Sequence, residues 1–368
     1  MGLMTKGAPM TYRFPLLFFI AAVALACVSF GASRFFAAPV PAASELFPAE
    51  GPKVPRGLVP IFWPKENPYS PEKAELGWLL YFDRRLSVDG TVSCASCHDP
   101  KHAFADGAAF SKGIRGQLGG RSAPTVINRA YSLEQFWDGR AKTLEEQAKG
   151  PIANPIEMGH AHDLCEKCIG AIAGYRARFK EVFGDEKVTI DRIAHAIATF
   201  ERTVLSGNSP YDKFKAGEKS ALSESQQRGM EIFFSNNARC DSCHEGINFT
   251  NGKYANVGIG ADKPVPDLGR YEVTKQEEDR GAFKTPTLRE IANTGPYMHD
   301  GSLKTLEEVV DHYNNGGVGK SGKKPQGLHQ DVRPLNLKDQ DKKDLVEFLK
   351  ALSGEGWQHI KPPENFPQ

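Results

Sequence analysis

Two short motifs constrain this chain of 368 residues more than any other feature: C-A-S-C-H at 94–98 and C-D-S-C-H at 240–244. Each sets two thiols three positions apart with an imidazole directly behind them. That spacing lets two cysteines add to the two vinyl groups of a haem while the adjacent histidine reaches the iron. Cys94, Cys97 and His98 therefore form one expected attachment site, and Cys240, Cys243 and His244 form a second. The competing reading is a pair of disulfides, or a zinc site split between two segments. A chain that closes round two covalent porphyrins uses each haem as much of a core.

The segments before the two motifs repeat each other. E-L-G-W-L-L-Y-F-D at Glu75–Asp83 aligns with Q-R-G-M-E-I-F-F-S at Gln227–Ser235. Gly77 pairs with Gly229, and Tyr81-Phe82 pair with Phe233-Phe234. Both read as short amphipathic helices covering a haem face, with Ser70-Pro71 and Ser223-x-x-Gln226 as N-terminal caps. Further helices are expected over Leu144–Lys149, Asp163–Ile172, Tyr175–Phe183 and Ile190–Leu205. The last helix runs over Leu337–Leu352, with Leu345, Val346, Phe348, Leu349 and Leu352 on one face, Asn336 as its cap and Gly354 as its stop. The fold class expected is all-α. Two tandem cytochrome c-type domains, residues 44–215 and 216–368, each wrap round one covalently bound haem, with long ordered loops. Frequent glycine and proline, 36 and 25 residues, supply those loops.

A net charge of +1 gives no electrostatic reason to expect nucleic acid as a partner. Lys6 and Arg13 precede an uncharged apolar stretch from Phe14 to Phe30, followed by small residues and prolines from Ala37 to Ala43. Residues 1–43 thus read as a secretory signal peptide or an uncleaved N-terminal anchor, which puts the protein in the periplasm. Cys27 is a weak lipobox cysteine, since Ala24 stands three residues before it. A membrane contact is expected only if this segment stays uncleaved.

Between and after the motifs stand R-S-A-P-T-V-I-N at 121–128, F-W-D-G-R at 136–140 and N-P-I-E-M at 154–158. T-P-T-L-R at 285–289 and G-P-Y-M-H-D-G-S-L at 295–303 follow. This ordered set resembles the dihaem cytochrome c peroxidase and MauG family over about residues 55–355. The resemblance implies that the first haem is the site of hydrogen peroxide chemistry and that the second relays electrons. It implies that Trp137 lies between the haems, where a packing role is the plainer alternative. By the same matching Gln147 and Glu157 stand over the open face of the first haem. Glu157 would take a proton from peroxide and return it to the leaving oxygen; a helix-start carboxylate is the plainer reading.

Two departures locate the chain inside that family. The histidine that blocks the first iron in many relatives is matched by Ile114, which cannot ligate iron, so the first haem is expected to be five-coordinate. The methionine that ligates the second iron, fourteen residues after the position of His299, is matched by Tyr313. A tyrosinate is a hard donor that favours oxidised iron. The alternative is a packing tyrosine, with His312 or Met298 as ligand. The family also implies a calcium between the haems, held by the carbonyls of Thr294 and Pro296 and by Ser122, a poorer ligand than the usual asparagine. The surface tryptophan through which MauG draws electrons is matched by Ala238, so an exit route would use tyrosines or one of Trp63, Trp78, Trp137 and Trp357.

H-A-H-D-L-C-E-K-C at 160–168 falls outside the family pattern. Cys165 and Cys168 read as a short disulfide, or with His160 and His162 as a zinc or copper site. His195 reads as a core histidine, and Lys320–Lys324 as a basic solvated loop.

The resemblance implies an enzyme in which peroxide raises the haem pair to a high-valent state that oxidises a partner protein. Tryptophan is the expected target, giving a quinone cofactor or a kynurenine-type product. The alternatives are a peroxidase fed by a small cytochrome c or cupredoxin, and a plain electron carrier.

Overall fold

The computed structural model describes residues 46–368 apart from 320, 321 and 323. The expected signal or anchor of residues 1–43, with Cys27, lies outside the described residues, as do Lys320 and Lys323 of the basic loop. The helices are α1 (Pro71–Phe82), α2 (Leu144–Ala153), α3 (His162–Gly170), α4 (Ala173–Phe183), α5 (Ile190–Thr203), α6 (Pro210–Lys215), α7 (Glu224–Phe233), α8 (Tyr271–Thr274), α9 (Leu306–Asn314) and α10 (Asp339–Lys350). Long loops with short 3₁₀ turns join them. Among the described residues the only sheet is one antiparallel pair, β1 (Tyr254–Ala255) with β2 (Phe283–Lys284). The molecule is all-α in class, as the patterning predicts.

Each half is organised by one helix pair. In the first, Ser70 caps α1 by accepting from Lys73 N at 3.2 Å, and Pro71 occupies the first turn, where its missing N–H costs nothing. α1 packs on α5, which opens on Thr189 accepting from Arg192 N. In the second, Ser223 and Gln226 form the reciprocal capping box expected of them, and α7 packs on α10. The paired glycines explain the closeness of both contacts. A Cβ at Gly77 would lie 1.9 Å from Ala196 O and 2.9 Å from Phe200 Cβ. A Cβ at Gly229 would lie 1.9 Å from Asp344 O and 2.8 Å from Phe348 Cβ. α5 is therefore the counterpart of α10, an equivalence that the sequence repeat did not reach.

Two apolar clusters result. The first joins Leu76, Leu80, Tyr81, Phe104, Phe179, Ile197 and Phe200; the second joins Phe233, Phe249, Leu306, Val310, Leu345, Phe348 and Leu352. The predicted apolar face of α10 is buried throughout. Its ends differ from expectation. Asn336 takes φ +55° in the turn before the helix, and the Asp341 carboxylate instead accepts from Lys338 N at 3.0 Å. The helix stops at Lys350, and Gly354 serves a close chain crossing: its Cβ would lie 2.2 Å from Gly207 O. The C-terminal stretch returns to the first cluster. Ile360 is buried there, Trp78 Nε1 donates to Lys361 O at 2.8 Å, and Gly174 N donates to Gln368 O at 2.7 Å.

The seam between the halves is polar and buried. Asn128 and Glu290, equivalent left-handed residues at φ +60°, accept from Ser206 N at 2.9 Å and Gly354 N at 2.6 Å. Nearby Arg289 and Asp212, with side chains 1% and 3% exposed, form a two-pronged ion pair with one arm at 3.0 Å. Those bonds fix the register of the two halves, and so of the cavities they contain.

Candidate functional site

Each half contains one cavity bounded by its attachment motif. Cavity 1, about 490 Å³, is walled by Cys94, Cys97 and His98, by the glycine-rich loop of Gly113 and Gly119, and by α2 and α5. Its volume lies within the usual range for cofactor sites. Cavity 2, about 230 Å³, is walled by Cys240, Cys243 and His244, by α9 and α10, and by the loop through Met298 and His299. The attachment residues of each motif thus converge on a single space.

The donor chemistry fits a haem in each. Burial holds both imidazoles neutral, His98 below the usual histidine value and His244 pushed down to about 4. Neutral imidazole is the form that binds iron. His244 donates from Nδ1 to Phe249 O at 3.0 Å, which leaves the lone pair on its other nitrogen. The Nδ1 of His98 is buried beside the backbone of Phe104 and Pro124 without a well-formed hydrogen bond. Tyr81 meanwhile secures the backbone of His98 by donating to its carbonyl at 2.7 Å.

The two cavities share a wall made of Ser122, Ala123, Pro124, Thr125, Arg129 and Trp137. Trp137 is fixed there by Nε1 donating to Ser122 O at 2.8 Å, and by its own carbonyl accepting from Lys284 N at 2.8 Å. Two basic side chains lie near this junction, Arg129 on the shared wall and Lys284 on cavity 2. Arg129, held by Thr125 O at 2.7 Å, is drawn down to about 10 by burial. Lys284 is 7% exposed, donates to Glu134 O, and is drawn down to about 6 by burial with Arg129 beside it. A buried cation such as Arg129 needs an anionic partner. The carboxylates that a haem carries match that need.

Gln147, Pro151 and Glu157 all line cavity 1. α2 presents Gln147, and Glu157 follows its end in a tight turn in which Asn154 O accepts from Glu157 N at 3.0 Å. Burial lifts the Glu157 carboxyl above its ordinary value, against the pull of Arg140. Ile114 lies off the cavity wall. Its amide donates to Glu157 O at 2.8 Å and its side chain is buried against Gly159. Sequence reading missed Glu201, which reaches cavity 1 from α5 and is pushed up to about 8 by burial. A charged Glu201-Arg202 pair closing an otherwise apolar helix face was the available signal.

Tyr313 lines cavity 2 from α9, and burial lifts its phenol well above the ordinary value. His312 points elsewhere and donates from Nε2 to Val257 O at 2.8 Å. Met298 shares the wall, as does His329, which the motif matching did not single out. Thr294, Pro296 and Ser122 all line cavity 2, and Ser122 reaches both cavities. Among the described residues no group of three or more acidic, cysteine or histidine side chains gathers as a metal site, so a cation here would rest on carbonyl and hydroxyl oxygens.

That same absence corrects the reading of Cys165 and Cys168 as a metal site with His160 and His162. The rings of His160 and His162 are bonded to Leu86 O at 3.3 Å and Lys149 O at 2.9 Å. No disulfide joins them in this structure: Cys165 is buried and Cys168 exposed. One turn apart on a regular helix, their Cβ atoms stand about 5–6 Å apart, more than the roughly 3.5–4.5 Å that a disulfide tolerates. His195 reaches neither cavity, and it is half-buried rather than part of the core.

A family model described as di-haem cytochrome c peroxidase matches residues 71–220. The chain is 42% identical over 306 residues to the cytochrome c551 peroxidase of Nitrosomonas europaea, covering 81% of this chain and 86% of that protein. It is 39% identical over 295 residues to the methylamine utilization protein MauG of Methylorubrum extorquens, covering 79% and 81%. Among solved structures it is similar to a MauG-like protein associated with microbial copper homeostasis, with a TM-score of 0.78, 33% identity, and coverage of 85% of this chain and 99% of that one.

Proposed function

Because this chain belongs to the di-haem cytochrome c peroxidase family, and is a haem-dependent oxidoreductase, we propose that it takes two oxidising equivalents from hydrogen peroxide and passes them to a partner protein at tryptophan. The product would be a quinone cofactor or a kynurenine-type residue. The apolar segment after Arg13 supports a periplasmic site of action.

Cys94, Cys97 and His98 would hold one haem, and Cys240, Cys243, His244 and Tyr313 the other. Bound there, the haems supply redox-active iron that accepts and stores the equivalents of peroxide. The chain's own residues do the rest. The Glu157 carboxylate accepts a proton from incoming peroxide and hands it to the departing oxygen, a task favoured by a pKa raised towards the working pH. Gln147 orients the substrate by hydrogen bonding from the same wall. Ile114 offers no atom that could ligate iron, so peroxide meets no competing side chain from that loop. Trp137, on the wall common to both cavities, provides an aromatic path between them. A calcium bound by the carbonyls of Thr294 and Pro296 and by Ser122 would brace that wall.

The observation that carries this reading is the asymmetry of the cavities: a proton-handling pair on one wall, a phenol on the other. The test exposes the holoprotein to peroxide with proteins encoded beside it, followed by mass spectrometry for oxidation at tryptophan. A peroxidase is the second reading, favoured by the likeness to cytochrome c551 peroxidase. It requires rapid peroxide-driven oxidation of a reduced small cytochrome c or cupredoxin, without tryptophan modification.

A further inference from the structure

We propose that Tyr254, paired with Glu134, is the relay by which oxidising equivalents leave this protein for its partner. The inference rests on the reading that those equivalents travel through side chains. It answers a gap that this reading leaves. The resemblance matches Ala238 to the surface tryptophan through which MauG draws electrons, and alanine cannot be oxidised.

Tyr254 stands on β1, paired in register with Lys284 on β2, and Lys284 N donates to the carbonyl of Trp137 at 2.8 Å. Successive strand residues face opposite ways. Ala255 lines cavity 2, so Tyr254 faces outward from it. Its hydroxyl lies against Gly139, two residues beyond Trp137, so closely that a Cβ there would come within 1.6 Å of the oxygen. The phenol is therefore packed on the backbone of the segment that carries the shared tryptophan, and Gly139 is the residue that admits it.

Oxidising a phenol near neutral pH requires somewhere for its proton to go. Tyr254 donates its hydrogen bond to the carboxylate of Glu134, which is an acceptor in place beforehand. Arg270 lies over the ring at 4.2 Å and bonds Gly139 O at 3.0 Å, which locks ring, acceptor and backbone together. The Glu134 side chain is 30% exposed, so a partner can approach the pair. Tyr175 offers a contrast. It also donates to a carboxylate, Asp83 at 2.8 Å, but it is fully buried in the first core and reaches neither cavity.

Tyr254 gives one electron inward by way of Trp137 and its phenolic proton to Glu134, leaving a neutral tyrosyl radical. The partner then gives one electron to the radical as Glu134 returns the proton. Two such cycles use the two equivalents of one hydrogen peroxide.

The experiment treats holoprotein containing ring-deuterated tyrosine with stoichiometric peroxide and no partner, and follows peroxide loss and the freeze-quench EPR spectrum. The expected result is a tyrosyl signal, narrowed by ring deuteration, that is lost in Tyr254→Phe while peroxide consumption continues. Glu134→Gln keeps the phenol but removes the proton acceptor, and should also lose the signal with the haem absorbance unchanged. Peroxide consumption with the tyrosyl signal intact in both variants, or with none in the parent protein, overturns the relay and leaves the peroxide chemistry standing. Failure to consume peroxide at all overturns both.

Discussion

Replacing Gly77 by alanine puts a methyl group where the helix pair has no room, and the cost can be worked from the contact distances. The new Cβ would lie 1.9 Å from the Ala196 carbonyl oxygen, where ordinary contact begins at 3.4 Å. The obstacle is backbone, so no side chain can swing aside, and α1 and α5 must separate by roughly 1.5 Å at that level. A radial gap of about 0.5–1 Å already forfeits a quarter to a half of a dispersion contact, and Leu76, Leu80 and Phe200 all pack nearby. Overpacking of this kind costs about 3 kcal/mol or more. The gain from replacing a helical glycine offsets about 1 kcal/mol. A net loss of about 2 kcal/mol lowers Tm by roughly 3 °C in a chain of this size. Gly229→Ala should lose a similar amount, since its Cβ meets Asp344 O at the same 1.9 Å. Gly150→Ala is the control. It sits in α2 with its nearest neighbour, Phe136 Cζ, at 3.5 Å, and should be neutral or slightly stabilising. Thermal unfolding of the holoproteins by circular dichroism decides the matter. If Gly77→Ala and Gly150→Ala melt together, the claim that these glycines set the helix spacing is wrong.

Three further outcomes are expected. Glu157→Gln should slow peroxide turnover by roughly 10²–10⁴-fold. Because the carboxylate form accepts the proton, activity in the parent is present above the raised Glu157 pKa and lost as pH falls through it, and a rate profile against pH should lose that acidic limb in the variant. Asp212→Ala leaves the buried guanidinium of Arg289 uncompensated and should cost about 3–5 kcal/mol in urea unfolding; an unchanged midpoint would show the pair to be dispensable. Tyr313→Met replaces an anionic donor by a neutral thioether and should raise the potential of the second haem in spectroelectrochemical titration, whereas no change would mean that another residue of that wall holds the iron.

The two attachment motifs were legible because covalent haem attachment demands fixed spacing. Ser70 and Ser223 marked helix starts through their capping chemistry, and Gly77 with Gly229 marked the repeat. The counterpart of α5 in α10 was not legible. It rests on backbone proximity, and Ala196 and Asp344 share no side-chain property. The ends of α10 were misjudged for a related reason. Asn336 and Gly354 are residues that favour caps, but here they serve a left-handed turn and a chain crossing dictated by tertiary contacts. Gln147, Glu157 and Trp137 were found by matching a family series, and they line the cavities in the expected halves. Arg129, Lys284 and Glu201 were missed because a buried charge looks like any surface charge until the fold removes its water. Cys165 and Cys168 looked like a disulfide or metal pair because spacing alone does not reveal that they sit one turn apart on a regular helix.

The proposed chemistry requires an open first haem beside a ligated second one. The EPR spectrum of the resting, fully oxidised holoprotein tests this most directly. A high-spin ferric signal from the haem on His98, in company with a differently ligated second iron, is the outcome the cavities predict. Two low-spin signals, with a strong-field ligand opposite His98, would contradict it.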